Sequence, residues 1–482
     1  MAQSMLKFVG LTGQTPTKRD PAERRRDFLE IYQPFEPARA VEQSSRCSQC
    51  GIPFCQVHCP LQNNIPDWLM LAAQGRLEEA YETSSATNNM PEICGRICPH
   101  DRLCEGNCVI EEAGHGTVTI GAVEKYITDT AWERGWVRPP RPRRELDGSV
   151  GVIGGGPAGL AAAEELRRKG YQVHVYDRYD RLGGLLIYGI PNFKLEKEVV
   201  ERRTKLLADG GVVYHTDFEV GRDATLAELR ARHDAVLIAT GVYTERDIAV
   251  PGAGLGNVVR ALKYLIASNR KGLGDAVPEF DSGTLDARGK NVVVIGGGDT
   301  AMDCVRTAVR QGAKSVKCLY RRDRANMPGS MREVVHAEEE GIEFVWLAAP
   351  EAFLGDRQVD GIRARRMRLG AADASGRQTP EPVGDHFTAE ADLIIKALGF
   401  DPEDVPALLQ CPELAVTDWG TVEIDWDTMM TRVDGVFAAG DIVRGASLVV
   451  WAIRDGREAA TAIDGYIREK QSAAMGAQGK AA

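Results

Sequence analysis

Eight of the chain's eleven cysteines lie between Cys47 and Cys108, and only Cys304, Cys318 and Cys411 lie beyond. Cys47, Cys50, Cys55 and Cys59 are spaced C-x2-C-x4-C-x3-C, with Pro60 directly after the last. Cys94, Cys98, Cys104 and Cys108 follow as C-x3-C-x5-C-x3-C, with Pro99 after Cys98. Such clustering points to metal or redox chemistry rather than a disulfide framework. Iron–sulfur clusters need soft thiolates held close together by loop backbone, often with a proline beside a ligand. A pair of zinc sites is the alternative, but zinc favours paired C-x2-C units or mixed Cys/His sets. Only one C-x2-C is present, and His58 and His100 sit beside cysteines rather than at a ligand interval. The spacing therefore predicts two [4Fe–4S] clusters, with His58 a supporting or surface residue. In two-cluster folds the last cysteine of a run commonly serves the other cluster. That rule groups Cys47, Cys50, Cys55 and Cys108, and separately Cys59, Cys98 and Cys104. The fourth ligand of the second group is Cys94 or a downstream carboxylate such as Glu124.

Two glycine fingerprints offer a second chemistry. Gly154, Gly156 and Gly159 stand as G-x-G-x-x-G after the apolar run Val150–Ile153. Their spacing suits a tight turn, a close approach of backbone to a pyrophosphate, and close helix–strand packing. The helix that follows presents unpaired N–H groups and a positive dipole end to phosphate. Asp177 stands 21 residues past Gly156, at the end of the next strand, where a carboxylate suits a ribose with free hydroxyls. The second copy has Gly296, Gly298 and Ala301, with Asp299 and Thr300 between them. Its next strand, Ser315–Tyr320, ends in Arg321 and Arg322, where the first copy has its acid. Guanidinium groups pair with a 2′-phosphate that a carboxylate would repel. The two copies are thus expected to hold different dinucleotides, the second one phosphorylated.

The elements that must position these residues follow from periodicity. A helical pattern around Trp68, Leu69, Leu71, Ala72, Leu77 and Ala80 joins the cysteine runs, and Phe28–Tyr32 also reads as helix. The helix Ala158–Lys169 should end at Gly170. Ala235–Gly241 is expected to close the first α/β unit, and Asp392–Gly399 the second. Gly435–Asp441 is another strand ending in glycine and acid, which places Asp441 to bond a polyol chain. Ser447 and Leu448 open a helix whose N-terminus faces that site. Residues 134–148, with three prolines and five arginines, read as an exposed, stiff linker. The tail from Lys470, rich in Ala, Gly and Gln, reads as disordered.

The expected fold class is α/β: two Rossmann-like three-layer dinucleotide-binding domains preceded by a helical iron–sulfur domain. The expected limits are 1–144 for the iron–sulfur domain, 145–245 and 400–482 for the first dinucleotide domain, and 246–399 for the second. At 482 residues the chain can bury several cores. A net charge of −10 argues against nucleic acid as the main partner. No apolar run approaches the ~20 residues of a membrane helix, and no secretory signal opens the sequence. The cytoplasm is the expected compartment. Cys304 and Cys318 are fourteen apart, so a C-x-x-C dithiol is absent from the second unit. No cysteine precedes Cys47, so no N-terminal cysteine glutaminase is expected on this chain.

The series G-x-G-x-x-G, Ala239-Thr240-Gly241, G-x-G-x-x-A and Ala439-Gly440-Asp441 resembles the two-dinucleotide flavoprotein oxidoreductases. The eight-cysteine region, Gly183–Leu195, Tyr320–Pro328 and Asp27–Tyr32 narrow the resemblance to the small (β) subunits of bacterial NADPH-dependent glutamate synthase. The resemblance covers essentially the full length. It implies FAD contacts at Gly154, Gly156, Gly159, Asp177, Gly184, Gly241, Asp441, Ser447 and Leu448. It implies NADPH contacts at Gly296, Gly298, Asp299, Thr300, Ala301, Arg321 and Arg322. Related pyrimidine dehydrogenases use a glutamine as one cluster ligand, and the corresponding position here is Glu124. The implied activity is hydride transfer from NADPH to FAD, with single electrons leaving through the clusters. The implied partner is a large glutaminase/synthase subunit in a hetero-oligomer. Related modules feed ferredoxin–NADP, sulfide dehydrogenase or pyrimidine reductase assemblies.

Overall fold

The computed structural model describes residues 4–373, 376 and 378–481, with side chains through 475. The main helices of the cysteine-rich region are α1 (Pro37–Ser44), α2 (Ile65–Ala73), α3 (Leu77–Ser85), α4 (Pro91–Ile97) and α5 (Ile120–Glu133). Proline in the first turn of α1, α2 and α4 pre-sets the helical φ where no N–H is needed. Trp68, Leu69, Ile120, Val123 and Ile127 pack with Cys47, Cys104 and Cys108 into one core.

The chain then builds β1 (Ser149–Ile153), α6 (Pro157–Lys169), β2 (Gln172–Tyr176), α7 (Lys197–Asp209), β3 (Val213–His215) and β4 (Ala235–Ile238). α6 stops at Gly170, whose φ of 111° ends a helix without Cβ strain. The second unit comprises β5 (Val258–Arg260), α8 (Ala261–Gly272), β6 (Asn291–Ile295), α9 (Asp299–Arg310), β7 (Ser315–Tyr320), α10 (Met331–Glu339) and β8 (Glu343–Trp346). An antiparallel meander of β9 (Ala348–Gly355), β10 (Val359–Ala372) and β11 (Gln378–Glu390) follows, then β12 (Leu393–Lys396). The chain returns with β13 (Val436–Ala438) and α11 (Val449–Ala481).

The first sheet is ordered β13-β4-β1-β2-β3 and the second β5-β12-β6-β7-β8, each wholly parallel. Their central strands are unbroken apolar runs, as a sheet covered on both faces requires. Where the chain leaves the first unit, Thr244–Glu245 pairs antiparallel with Phe400–Asp401, where it comes back.

Two expectations need correction. Phe28–Tyr32 is irregular rather than helical, because tertiary partners take its side chains and backbone. Phe28 packs on Phe193, Asn192 Nδ2 donates to the Phe28 carbonyl, and Tyr32 pairs with Lys18 across an antiparallel bridge. The tail from Lys470 is helical as far as Ala481, as the continuation of α11; Ala482 lies outside the described residues. Residues 134–148 are mostly exposed, as expected, and are pinned to the units at separate points. Val137 is buried with Ala131 and Leu206, Pro140 lies against Gly210, and the Leu146 N–H donates to the Gly170 carbonyl.

Candidate cofactor sites

At the carboxyl ends of the first sheet's strands lies a cleft of about 290 Å³, the edge at which open α/β sheets take ligands. Gly154, Gly156, Asp177, Gly184, Gly241, Asp441, Ser447 and Leu448 all line it. Gly154 has φ of 105°, and a Cβ there would stand 2.4 Å from the Ala239 carbonyl oxygen. Gly156 faces open space, which leaves its backbone approachable. Gly159 lies behind the cleft, where a Cβ would come within 2.0 Å of the Gly154 carbonyl oxygen. It lets α6 close onto β1.

Asp177 is held by the N–H groups of Gly155 (2.7 Å) and Tyr179 (2.9 Å). Burial pushes its carboxyl above the usual range against these two donors. Burial likewise pushes Asp441 up to about 6. Among the cleft residues that sequence reasoning missed are Arg178, Tyr179, Tyr243 and Glu403. The Arg178 guanidinium lies 4.8 Å from the Tyr243 ring centre and pairs with Glu403 at 2.9 Å. The only signal was that Arg178 and Tyr179 directly follow the acid; Tyr243 and Glu403 come from distant segments.

The second fingerprint repeats this geometry with a different exit. A Cβ on Gly296 would meet the Ala397 carbonyl oxygen at 2.1 Å, and Gly298 faces open space. Asp299 and Thr300 open α9, and Ala301 is fully buried where the first copy requires Gly159. Arg321 is exposed, with no hydrogen bond or ion pair among the described residues. Arg322 is half-buried and donates from Nε to the Gln378 carbonyl on β11 at 3.1 Å. The loop beyond them turns back under the glycines. The Gly329 N–H donates to the Gly297 carbonyl (3.0 Å), and the Ser330 N–H to Asp299 Oδ1 (2.9 Å).

The eight N-terminal thiols fall into two groups. Electrostatic contacts join Cys55 to Cys47, Cys50 and Cys108. A separate cavity is lined by Cys59, Cys94, Cys98, Cys104 and Glu124, together with His100. Both candidate fourth ligands thus face the same space. Glu124 accepts from Ser84 Oγ (3.2 Å) and Asn88 Nδ2 (3.5 Å), and burial pushes it up to about 8. Burial also lifts the thiols, Cys47 and Cys59 to about 11 and Cys55 to about 12. Among the described residues, no three His, Cys, Asp or Glu side chains form a ready-made metal site. Thiols must lose protons to ligate, so metal binding completes such a shell. His58 is exposed, with Nδ1 3.0 Å from the Phe54 carbonyl.

The second cavity has an orphan of the kind a cluster would satisfy. His100 Nε2 is buried without a hydrogen-bond partner. The thiol set, the bordering donor and the enclosed space together fit an iron–sulfur cluster.

The N-terminus of α11 is a wall common to both sites. Val449 and Ala452 line the dinucleotide cleft, while Val450 lines the thiol cavity.

Comparison with known proteins agrees with this layout. Residues 24–136 match the family model of dihydropyrimidine dehydrogenase domain II, 4Fe-4S cluster, and residues 148–456 match pyridine nucleotide-disulphide oxidoreductase. The glutamate synthase [NADPH] small chain of Azospirillum brasilense is 70% identical over 98% of each chain. That of Escherichia coli K12 is 43% identical over 97% of this chain and 100% of its own. Among solved structures, Mycobacterium tuberculosis FprA in complex with NADPH superposes with a TM-score of 0.57 at 19% identity, over 69% of this chain and 86% of that one.

Proposed function

Because the chain belongs to the family of glutamate synthase [NADPH] small chains, we propose that it is the NADPH-oxidising, electron-input subunit of such an enzyme. When bound, NADPH, FAD and two [4Fe–4S] clusters supply hydride and single-electron chemistry, delivering electrons to a large subunit that makes L-glutamate from L-glutamine and 2-oxoglutarate. The observation that carries this reading is the shared wall: one helical turn, Val449 to Ala452, borders the flavin cleft on one side and the thiol cavity on the other.

The chain's own work is positioning and exclusion of water. In this reading the N–H groups at Gly154–Gly156 and the N-terminus of α6 cradle the FAD pyrophosphate, Asp177 holds the ribose, and Asp441 the polyol chain. Gly184 and Gly241 let the backbone pass close to the flavin, and Ser447 and Leu448 face it. Gly296–Gly298, Asp299, Thr300 and Ala301 cradle NADPH, with Arg321 and Arg322 on its 2′-phosphate. Cys47, Cys50, Cys55 and Cys108 hold one cluster. Cys59, Cys98, Cys104 and either Cys94 or Glu124 hold the other. Among the described residues, no helix is long and apolar enough to cross a membrane; the cytoplasm is the proposed compartment.

Anaerobic co-purification with the large subunit, with flavin and iron counts, tests the assignment. One FAD and eight irons per chain are expected, together with NADPH-dependent bleaching of the flavin band. Activity with ferredoxin or uracil alone would favour another acceptor. Arg321→Ala should lower kcat/KM for NADPH by roughly 10- to 100-fold, the worth of ~1.5–3 kcal/mol for a charged hydrogen bond. NADH turnover should stay unchanged, and an equal fall for both nucleotides would refute the arginine assignment.

A further inference from the structure

The loop carrying the arginine pair does not end at the nucleotide site. It runs on into α10, whose second residue, Arg332, leaves the nucleotide unit and reaches the cysteine-rich one. Arg332 Nη2 donates to the Cys98 carbonyl at 3.2 Å and stands 3.4 Å from His100 Nδ1. A guanidinium can only donate, so a bond from Arg332 makes Nδ1 the acceptor and assigns the ring proton to Nε2, with the Cys94 backbone as the ring's other polar neighbour. Nε2 is the atom left without a partner beside the thiol cavity. The ring is held flat against Gly121 on α5, where a Cβ would fall 2.3–2.6 Å from its atoms. Beside it, Ser330 Oγ donates to Asp101 at 3.0 Å, and Arg102 donates to the Pro328 carbonyl at 2.7 Å. The acids facing Arg332 are Glu105, Asp101 and Glu333. Glu105 accepts from the Gly121 N–H, and Glu333 pairs with Arg306 and Lys194.

We propose that Arg332, acting through His100 and the Cys98 carbonyl, sets the reduction potential of the cluster held by the buried thiols, so that the NADPH-binding unit tunes the first acceptor beyond the flavin. The inference rests on the cluster assignment above. A reduced cluster carries one more negative charge than an oxidised one. A fixed cation beside a cluster, and a hydrogen-bond donor bordering it, stabilise the reduced form and raise the potential. The site is buried, so the field is weakly screened. Arg332 is a positioning residue that touches no substrate. Nothing in the N-terminal sequence marks it, because it lies 234 positions from Cys98.

The test is an EPR-monitored redox titration of the full chain with its large subunit, beside iron and sulfide counts. In Arg332→Gln the buried cluster should be reduced about tenfold less at a given poise, a drop of about 59 mV for one electron. The cluster of Cys47, Cys50, Cys55 and Cys108 should not move. His100→Gln, which keeps a donor but breaks the imidazole link, should shift in the same direction by less. An unmoved potential in a fully loaded Arg332→Gln, or equal shifts in both clusters, overturns the proposal. If that variant loses iron, Arg332→Lys decides. A near-native potential supports a charge effect, and a drop as large as that of a cluster with no cation overturns it. Wild-type chain with fewer than eight irons would instead defeat the cluster assignment, leaving Arg332 a contact between units.

Discussion

At the scale of single residues, a trio of histidines, His174 on β2, His215 on β3 and the buried His233 just before β4, makes stability pH-dependent. His174 Nδ1 lies 3.1 Å from His215 Nε2, and His233 is held by Ser149 Oγ (2.6 Å) and the Tyr176 hydroxyl (2.9 Å). Burial lowers all three, with neighbouring charge from Arg232 adding to the effect on His215 and His233. His233 falls to about 4. The unfolded chain therefore takes up protons first as pH falls. Stability is fully present above the ordinary histidine value of about 6.5 and is lost as pH drops toward 4. Thermal melts from pH 7 to 4 should show this slope, and His233→Gln should flatten it; an unchanged slope would dismiss the trio. The exchange of Asp177 for Arg321 was readable because both directly follow a strand that follows a glycine turn. Arg178 over Tyr243 was not, since that contact depends on where two loops meet.

At the scale of elements, α11 illustrates what composition conceals. Its stretch from Lys470, rich in Ala, Gly and Gln, is exposed through Met475, yet it continues a helix whose Ile463 and Ile467 are buried in the core beneath the first sheet. Gly456 lets it cross α6 closely: a Cβ there would fall 2.2 Å from the Ala158 carbonyl oxygen. Lys470 pairs with Asp434, and Gln471 donates to the Asp147 carbonyl. A stop after residue 472 should leave flavin content and melting temperature near wild type. A stop after residue 462 removes both isoleucines, at ~1.5–3 kcal/mol each, and should yield flavin-poor chain; full flavin retention would contradict this packing. The opposite error, helix at Phe28–Tyr32, arose because a five-residue apolar pattern can be satisfied equally by docking on another unit. The Tyr32 hydroxyl, 3.0 Å from His336 Nε2, shows where it docks.

At the scale of the whole molecule, both parallel sheets were legible because glycine turns, strand runs and terminal acids recur in order. The β9–β11 meander was not legible, because β11 is largely exposed and carries little apolar alternation; the contacts between units were not, because their partners are far apart in the chain. One such contact is the buried pair of Glu92 on α4 with Arg203 on α7, at 2.7 and 2.9 Å. Glu92→Gln should cost about 3 kcal/mol, as breaking a buried ion pair does, and calorimetry of the purified chain would read it. Recovery in Glu92→Gln/Arg203→Met would identify the stranded charge as the cause, and no loss in the single variant would rule the pair out as a strut. The core under the first sheet also includes Met90, Ile93, Cys94 and Cys98. Val450 thus belongs to a partition with a proposed cofactor site on either side, and damage will not stay in one compartment. In the proposed assignment, oxygen that strips iron from the buried thiols removes the backing of the helix end at the FAD cleft. Air-aged protein should therefore shed iron and FAD together, and ageing will look like a loss of two cofactors although only one of them was attacked.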